Sequence, residues 1–174
     1  MFCYCPSCAS KNISFENNHV FRCPDCGFVY YHNTAAAAGL IIDSGGRVML
    51  LRRGKEPEAG RLDLPGGFIE PGEGALDGLI RECSEEIGWT PDREKIVLLS
   101  SFPNLYPYKN IVYNTCDFFF SIRADGLTKE MLCLQQEEIA GVEFIEYGKI
   151  DFDKIAFNSA RAAIRLYLEK NYTP

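Results

Sequence analysis

Apolar and polar residues along the chain follow two periods, one typical of strands and one typical of helices. Runs rich in β-branched, aromatic and small apolar residues, bounded by turn-forming residues, predict five strands. These strands are Thr34 to Asp43, Arg47 to Arg53, Val97 to Phe102, Ile111 to Arg123 and Val142 to Ile145. The Ser44-Gly45-Gly46 segment between the first two is typical of a hairpin turn.

Two stretches carry the helical period instead. Between Gly74 and Ile87, apolar residues recur at offsets of three and four, which predicts a helix with one core-facing stripe. The stripe consists of Leu76, Leu79, Ile80, Cys83 and Ile87. A final amphipathic helix is predicted from about Asn158, which we expect to be its N-cap, to Lys170.

The size of the chain suits one main domain and a small additional one. It has 174 residues, 47% of them hydrophobic, and a net charge of −6. No apolar run is long enough for a transmembrane helix, and no membrane role is expected. The first residues lack the basic and apolar regions of a secretory signal, so the eight cysteines favour a reducing cytoplasm over a secreted, disulfide-bonded protein.

Four of the cysteines form two C-x2-C pairs near the N-terminus. Cys5 and Cys8 are separated from Cys23 and Cys26 by fourteen residues, a spacing typical of a structural Zn²⁺ site with four thiolates. Two disulfides or unligated thiols are the alternatives. We interpret residues 1–32 as a zinc ribbon and residues 33–174 as the main domain.

Charge bears on what the ribbon binds. Its Lys11 and Arg22 are balanced by Glu16 and Asp25, and no basic stripe is present. This argues against a nucleic-acid clamp and favours a structural or homodimer-forming role.

The most informative segment is residues 67–89. On the predicted helix Glu82 lies three residues before Glu85 and four before Glu86, so the three carboxylates repel one another. A divalent cation such as Mg²⁺ or Mn²⁺, which prefers oxygen ligands, would reverse that repulsion. The planar guanidinium of Arg81 can orient one of these glutamates. The alternative is a solvated acidic helix face.

Together with its glycines, this segment resembles a known signature. Gly67, Glu73, Arg81, Glu82, Glu85, Glu86 and Gly88 follow the pattern G-x5-E-x7-R-E-x-x-E-E-x-G. The chain therefore resembles the Nudix hydrolases, with Cys83 and Trp89 in place of the usual aliphatics. Residues 60–67 are similar to the G-x-W-x-L-P-G-G segment of that family, except for Leu62. The resemblance implies an α+β fold, the Nudix α/β/α sandwich, and metal-dependent hydrolysis of a pyrophosphate bond.

The resemblance also implies a set of metal ligands. These would be the Gly66 carbonyl, Glu82, Glu86 and Glu138, the last by similarity of residues 135–139 to a segment that supplies a further acid. Glu138 is preferred over Glu137, although either could be an exposed loop acid.

Catalytic roles follow from the same resemblance. Glu85 or Glu86 would accept a proton from the attacking water, and the sequence does not choose between them. Glu73 would brace Arg81 or the metal shell.

One branch of the family, the NADH pyrophosphatases, also joins a four-cysteine ribbon to a Nudix domain. Its S-Q-P-W-P-F-P motif is partly matched by residues 101–108, through Ser101, Pro103, Pro107 and the aromatic Tyr106. The tryptophan and the middle proline are absent. Phe102, Tyr106 and Tyr108 are expected to stack on a nucleobase, or else to be packed within a proline-stiffened loop.

The expected substrate is a nucleoside diphosphate linked to another group, with NAD(H) or ADP-ribose favoured. Arg52, Arg53 and Lys55 are candidates for holding its phosphates, although solvated strand-end cations are equally compatible. Damaged nucleoside triphosphates and NAD-capped RNA are alternative substrates. A Nudix-like sensor that binds without cleaving is a further alternative, which the intact glutamate set argues against.

Overall fold

The computed structural model describes residues 2–17 and 19–172. The chain divides into two compact units, residues 1–34 and 35–174, each described here by itself. The sequence places the boundary two residues earlier, after residue 32.

The N-terminal unit is a small antiparallel sheet in the order β1-β2-β3. Its strands are β1 Ser14–Glu16, β2 Val20–Arg22 and β3 Val29–Tyr31. Phe21 is buried and packs edge-to-face against Phe2 and Phe28, with ring centroids 5.2 and 6.1 Å away. One buried aromatic ring is a small core for an independent unit, so the nearby thiols become important for its stability.

The second unit combines a mixed sheet with two α-helices in the described part of the chain, which confirms the α+β prediction. The strands are β4 Ala35–Asp43, β5 Arg47–Arg53, β6 Leu62–Asp63, β7 Gly66–Phe68, β8 Val97–Tyr108, β9 Ile111–Arg123 and β10 Ile139–Glu146. The helices are α1 Ala75–Ile87 and α2 Asn158–Asn171, and short 3-10 turns lie at Arg93–Lys95, Lys129–Met131, Tyr147–Lys149 and Phe152–Lys154.

The main sheet has the strand order β10-β5-β4-β9-β8, with β6 paired to β5 and β7 paired to β4. The central pair β4 and β9 runs parallel, from Ala35 opposite Thr115 to Asp43 opposite Arg123. The other pairings are antiparallel. The short strand β7 therefore lies directly beside the middle of β4.

Helices cover both faces of the sheet. Successive side chains of β4 and β5 point to opposite faces, so each strand contributes to two cores. Leu40 and Met49 belong to a core shared with α1. Ile41 and Leu50 belong to a second core shared with α2. The central strands are consequently apolar at nearly every position, and the result is a three-layer α/β/α sandwich.

Two local predictions are wrong. Strand β8 continues through the predicted loop to Tyr108, because residues 102–108 pair with β9 down to Ile111. Asn158 is the first residue of α2 rather than its N-cap. Phe157 takes the N-cap position, packed against Tyr106 at a ring-centroid distance of 5.5 Å. Tertiary packing thus overrides the local capping preference.

Helix α1 ends at Ile87, as the sequence predicts, and begins one residue later than the predicted Gly74. Gly74 is the N-cap, and Gly88 ends the helix in the left-handed conformation with φ +62°. In the part of the chain that the structure describes, no helix is long and apolar enough to cross a membrane.

Candidate active site

Helix α1 packs Leu76, Leu79, Cys83 and Ile87 against the sheet, whereas Ile80 of the predicted stripe is half-buried and lies outside this core. On another face of the helix, Arg81, Glu82, Glu85 and Glu86 line a cavity of about 400 Å³. The cavity is bounded by α1, by β4 and β7, by the strands β8 and β9, and by the start of α2. Its charged lining residues are Arg53, Lys55, Asp63, Glu70, Arg81, Glu82, Glu85, Glu86, Asp117 and Glu138. The fold therefore collects residues from distant parts of the sequence around one opening.

Arg81 is the hub of the carboxylate network. Its Nε donates to Glu73 at 2.8 Å, and its Nη1 donates to Glu82 at 2.9 Å and to Glu85 at 3.1 Å. Its Nη2 donates to the Phe68 carbonyl at 3.1 Å. The bond to Glu73, together with Glu82, raises the pKa of Arg81, so its charge is permanent. This one guanidinium fixes three acids relative to β7.

Glu73 is held from two sides. Besides the Arg81 fork, it accepts a hydrogen bond from the Glu70 amide at 3.0 Å. The Arg81 hydrogen bond keeps the pKa of Glu73 below its usual value. Gly78 makes room for it, since a Cβ there would lie 2.9 Å from a Glu73 carboxylate oxygen. The absence of a side chain at Gly78 therefore admits this carboxylate against the helix.

Glu86 lies deeper in the cavity. The Gly66 amide donates to its Oε2 at 2.8 Å. Burial raises the pKa of Glu86 to about 8, although the Gly66 hydrogen bond opposes the shift. Gly66 has φ +139°, and a Cβ there would lie 2.0 Å from the Ala38 carbonyl. Only glycine fits where β7 meets β4 and presents its amide to Glu86.

Glu82 is positioned by a second glycine. A Cβ on Gly67 would come within 2.6 Å of the Glu82 carboxylate, so the missing side chain admits that carboxylate against β7. Burial raises the pKa of Glu82, against the opposing effect of Arg81. The paired glycines thus serve two different glutamates.

Glu138 reaches the cavity from the loop before β10. Its carboxylate forms a close ion pair with Lys55. The loop is fixed by backbone bonds, because the Gln135 amide donates to the Glu86 carbonyl at 2.9 Å and the Gly54 amide donates to the Glu138 carbonyl at 2.6 Å. Glu137 is exposed and outside the cavity lining. Geometry therefore brings Glu138, rather than Glu137, to the other acids.

The donor set suits a hard divalent cation. Glu82, Glu86, Glu138 and Gly66 all line the cavity and offer carboxylate or carbonyl oxygens, the ligands that Mg²⁺ and Mn²⁺ prefer. The four thiols of the N-terminal unit lie within 4.8 Å of one another. Among the described residues, the oxygens of these carboxylates are not clustered so closely. They are held instead by Arg81, the Gly66 amide and Lys55.

Of the two arginines predicted to bind phosphate, one lines the cavity and the other does not. Arg53 lines the cavity, where its Nη1 donates to Asp63 at 3.0 Å and its guanidinium lies 5.0 Å from the Phe157 ring. Burial raises the pKa of Asp63 to about 6, with Arg53 opposing the shift. Arg52 points elsewhere and bonds the Gly60 carbonyl and Glu143.

Of the three aromatic residues predicted to stack on a nucleobase, one lines the cavity and two do not. Tyr106 lines the cavity and meets Phe68 edge-to-face at 5.1 Å. Phe102 packs against the core shared with α2, 6.1 Å from Phe119. Tyr108 is exposed near the end of β8. Phe102, Tyr106 and Tyr108 are separated by even numbers of residues along β8, so all three point to the same face of the strand. They differ in their position along that face: Phe102 lies over the core shared with α2, Tyr106 lies at the cavity and Tyr108 lies at the exposed end.

Several cavity residues carried no functional prediction. They include Asp63, Asn104, Thr115, Asp117, Phe157 and Ser159. Thr115 and Asp117 are both buried, on the inward face of β9. The available signal was the presence of polar residues at two successive inward positions of β9, directly before the apolar run Phe118 to Phe120.

The N-terminal unit contains a separate cluster. The Sγ atoms of Cys5, Cys8, Cys23 and Cys26 all lie within 4.8 Å of one another. Cys5 and Cys26 are 3.6 Å apart, and Cys8 and Cys23 are 3.7 Å apart. Four thiolates around a tetrahedral Zn²⁺ at about 2.3 Å would be separated by about 3.8 Å. None of the four forms a disulfide, so the cluster fits one metal ion.

Comparison with known proteins identifies the family of this chain. The family model of the NUDIX domain matches residues 32–166. An ADP-ribose pyrophosphatase from Methanocaldococcus jannaschii is 32% identical over 84 residues, 48% of this chain and 49% of that protein. The NAD-capped RNA hydrolase NudC from Chromobacterium violaceum is 30% identical over 100 residues, 58% of this chain and 37% of that protein. The chain thus spans about half, or less, of the length of these curated relatives.

Solved structures show the same fold. A NUDIX hydrolase from Nitrosomonas europaea superposes with a TM-score of 0.67 at 21% identity, covering 97% of this chain and 92% of the other. The NUDIX domain of Shewanella oneidensis NrtR, solved with ADP ribose, superposes with a TM-score of 0.64 at 16% identity, covering 80% and 90%. The family match extends over most of the chain and includes the α1 signature and its cavity: this chain belongs to the Nudix family.

Proposed function

We propose that the chain is a metal-dependent hydrolase of the pyrophosphate bond in a nucleoside diphosphate linked to another group. ADP-ribose and NAD(H) are the first candidates for the substrate. The observation that carries this proposal is the single cavity in which Glu82, Glu86 and Glu138 lie together, with Arg81 fixing the first of them. A protein that only bound nucleotides would not need this acid set.

Mg²⁺ or Mn²⁺ would be held by Glu82, Glu86, Glu138 and the Gly66 carbonyl. When bound, such an ion neutralises phosphate charge and makes a bound water more acidic. Binding would require Glu138 to exchange its Lys55 partner for the ion, and Lys55 would then be free to face a phosphate.

Proton acceptance falls to Glu85 or Glu86. Glu86 is half-buried and bonded to the Gly66 amide, whereas Glu85 is exposed and bonded to Arg81. Both line the cavity, so either can reach a water within it. Glu73 touches Arg81 rather than the cavity, and its proposed role is to position that guanidinium.

Substrate contacts are proposed for Arg53 and Lys55 at the phosphates and for Tyr106 at the nucleoside. All three line the cavity. Arg52, Phe102 and Tyr108 lie outside the lining, and we assign them no substrate contact. For the N-terminal unit, the thiol distances support a structural Zn²⁺ held by Cys5, Cys8, Cys23 and Cys26.

The test is chromatography of products after incubation with Mg²⁺ or Mn²⁺ and a mixture of NADH, ADP-ribose, a nucleotide sugar, nucleoside triphosphates and an NAD-capped RNA. Metal-dependent release of AMP from ADP-ribose or NADH, absent for Glu86→Gln, is the expected result. Cleavage confined to the triphosphates or to the capped RNA would move the substrate assignment. Binding without cleavage of any compound would overturn the hydrolase and leave a ligand sensor.

A further inference from the structure

The cavity has a second polar region that the metal site does not use. It is formed by Thr115 and Asp117 on β9, with Ser159 at the start of α2. Thr115 is 4% exposed and Asp117 is 8% exposed, yet both line the cavity. Being two residues apart on one strand, their side chains point to the same face.

The hydrogen bonds of this region are incomplete. Ser159 donates to Oδ2 of Asp117 at 2.6 Å. The other carboxylate oxygen of Asp117 and the Thr115 hydroxyl are buried and have no hydrogen-bond partner among the described residues. Buried polar atoms are nearly always paired in folded proteins, so two adjacent exceptions in a cavity wall point to a ligand that pairs with them.

We propose that Asp117 and Thr115 form the specificity subsite for the nucleobase of the substrate, and that they select a purine with an exocyclic amino group in the manner of adenine. This inference rests on the proposed function and names the substrate class of the same cavity. An ionised carboxylate accepts hydrogen bonds and cannot donate them, so the unpaired Asp117 oxygen is an acceptor. The Thr115 hydroxyl can donate a hydrogen bond.

The adenine edge complements this arrangement. Its amino group donates and its neighbouring ring nitrogen accepts, matching an acceptor beside a donor. Hypoxanthine carries a carbonyl oxygen in place of the amino group, and this oxygen would face the Asp117 carboxylate. A site with buried polar groups strongly rejects a ligand that leaves them unpaired.

A purely structural role for Asp117 makes a different prediction. The Ser159 bond joins β9 to α2, so Asp117 could serve only to hold the helix. In that case Ser159→Ala would lose the bond and loosen the helix, Asp117→Asn would change little because its amide oxygen can still accept from Ser159, and neither effect would depend on the base. In the subsite, Asp117→Asn can keep the Ser159 bond while presenting an NH₂ donor to the cavity.

The first experiment measures the binding of AMP and IMP by calorimetry to the full chain in the presence of Mg²⁺. AMP and IMP are monophosphates and have no pyrophosphate bond to cleave, so the result does not depend on hydrolysis. We expect AMP to bind at least about tenfold more tightly than IMP, Asp117→Asn to bring the ratio to within about threefold, and Ser159→Ala to keep most of it. Thr115→Val, which removes only a hydroxyl, should weaken AMP at least about threefold.

Circular dichroism establishes that each variant is folded, and Thr115→Val tests the subsite even where Asp117→Asn does not fold. Equal binding of AMP and IMP by the unmodified chain, or no binding of either, overturns the subsite. So does an unchanged ratio in folded Asp117→Asn. A preference for AMP without any hydrolysis of ADP-ribose or NADH would remove the proposed function and leave the subsite standing.

Discussion

Arg81 holds Glu73 by both carboxylate oxygens, from Nε to Oε1 at 2.8 Å and from Nη2 to Oε2 at 3.2 Å. The same guanidinium also reaches Glu82 and Glu85. A planar fork can serve three acids at once, whereas the point charge of a lysine cannot reproduce that geometry.

Arg81→Lys should therefore lower kcat/KM for ADP-ribose at least about tenfold, because Glu82 and Glu85 lose their fixed orientation. Steady-state kinetics in Mg²⁺ measures this. Arg93→Lys is the matched control, since Arg93 forms one exposed pair with Asp77, and it should retain nearly full activity. Equal losses in the two variants would contradict the positioning role of Arg81.

Gly66→Ala should destabilise the protein by at least about 2 kcal/mol, since the new Cβ would meet the Ala38 carbonyl and the backbone conformation would be strained. Chemical denaturation measures the free energy of unfolding. Gly141→Ala is the control, because a Cβ there has no neighbour within 4 Å and no positive φ opposes it. A Gly66→Ala protein as stable as Gly141→Ala would refute the close approach of β7 to β4.

The pKa of Glu86, about 8 in the folded protein against its ordinary 4.5, predicts a pH-dependent stability. The folded state holds this proton more tightly than the unfolded chain. Protonated Glu86 therefore contributes its full stabilisation of the folded state below pH about 4.5, and this contribution is lost as the pH rises through about 8.

Without added divalent cations, the thermal unfolding midpoint of the unmodified chain should fall relative to that of Glu86→Gln over this interval. Added Mn²⁺ at pH about 8 should restore the unmodified chain more than the variant, because the ion binds the ionised carboxylate. Glu94→Gln, an exposed substitution, should follow the unmodified chain throughout. Parallel curves for Glu86→Gln and the unmodified chain would show that Glu86 is not the group responsible.

The four clustered thiols predict about one Zn²⁺ per chain in purified protein. Cys8→Ser should lose most of this metal and lower the stability of the N-terminal unit, because a hydroxyl is a poor zinc ligand. Cys3→Ser is the control, since Cys3 is exposed and outside the cluster. Elemental analysis decides, and equal zinc contents in the two variants would exclude this site.

Tyr167 of α2 donates to the buried Asp43 carboxylate of β4 at 2.9 Å. Tyr167→Phe leaves that oxygen without its tyrosine donor and should lower the free energy of unfolding by about 1–3 kcal/mol. Tyr172→Phe removes a hydroxyl from an exposed tyrosine just after the same helix and should change the free energy of unfolding little. Urea denaturation of both variants measures this difference. Similar midpoints for the two variants would contradict a stabilising role for the buried hydrogen bond.

Local patterns in the sequence were sufficient for α1, for its acidic face and for the cysteine cluster. In each case the residues that act together lie within one helix or within short fixed spacings, so period and spacing carry the information. The helix bounds, predicted from Gly74 to Ile87, followed for the same reason, whereas the α+β class was predicted from the family resemblance. Glu138 was preferred over Glu137 by similarity, and its side chain is the one that lines the cavity.

The predictions that failed depended on contacts between distant residues. Residues 103–108 carry two prolines and read as a loop, yet they extend β8 because β9 pairs with them. Asn158 has the preference of an N-cap, but packing of Phe157 against Tyr106 and Arg53 moves the cap one residue earlier.

The sequence by itself thus determined the family signature, the acids of α1 and the thiols of the N-terminal unit, because those groups are neighbours along the chain. Only the tertiary structure decided that Arg53 enters the cavity while the adjacent Arg52 does not. It likewise decided that Tyr106 lines the cavity while Phe102, on the same face of β8, packs against the core shared with α2. It also brought Asp117 to Ser159, forty-two residues later. The physical reason is that both the face and the stretch of a strand that border the cavity depend on its partner strands and on the helices packed over the sheet, and local periodicity does not contain them.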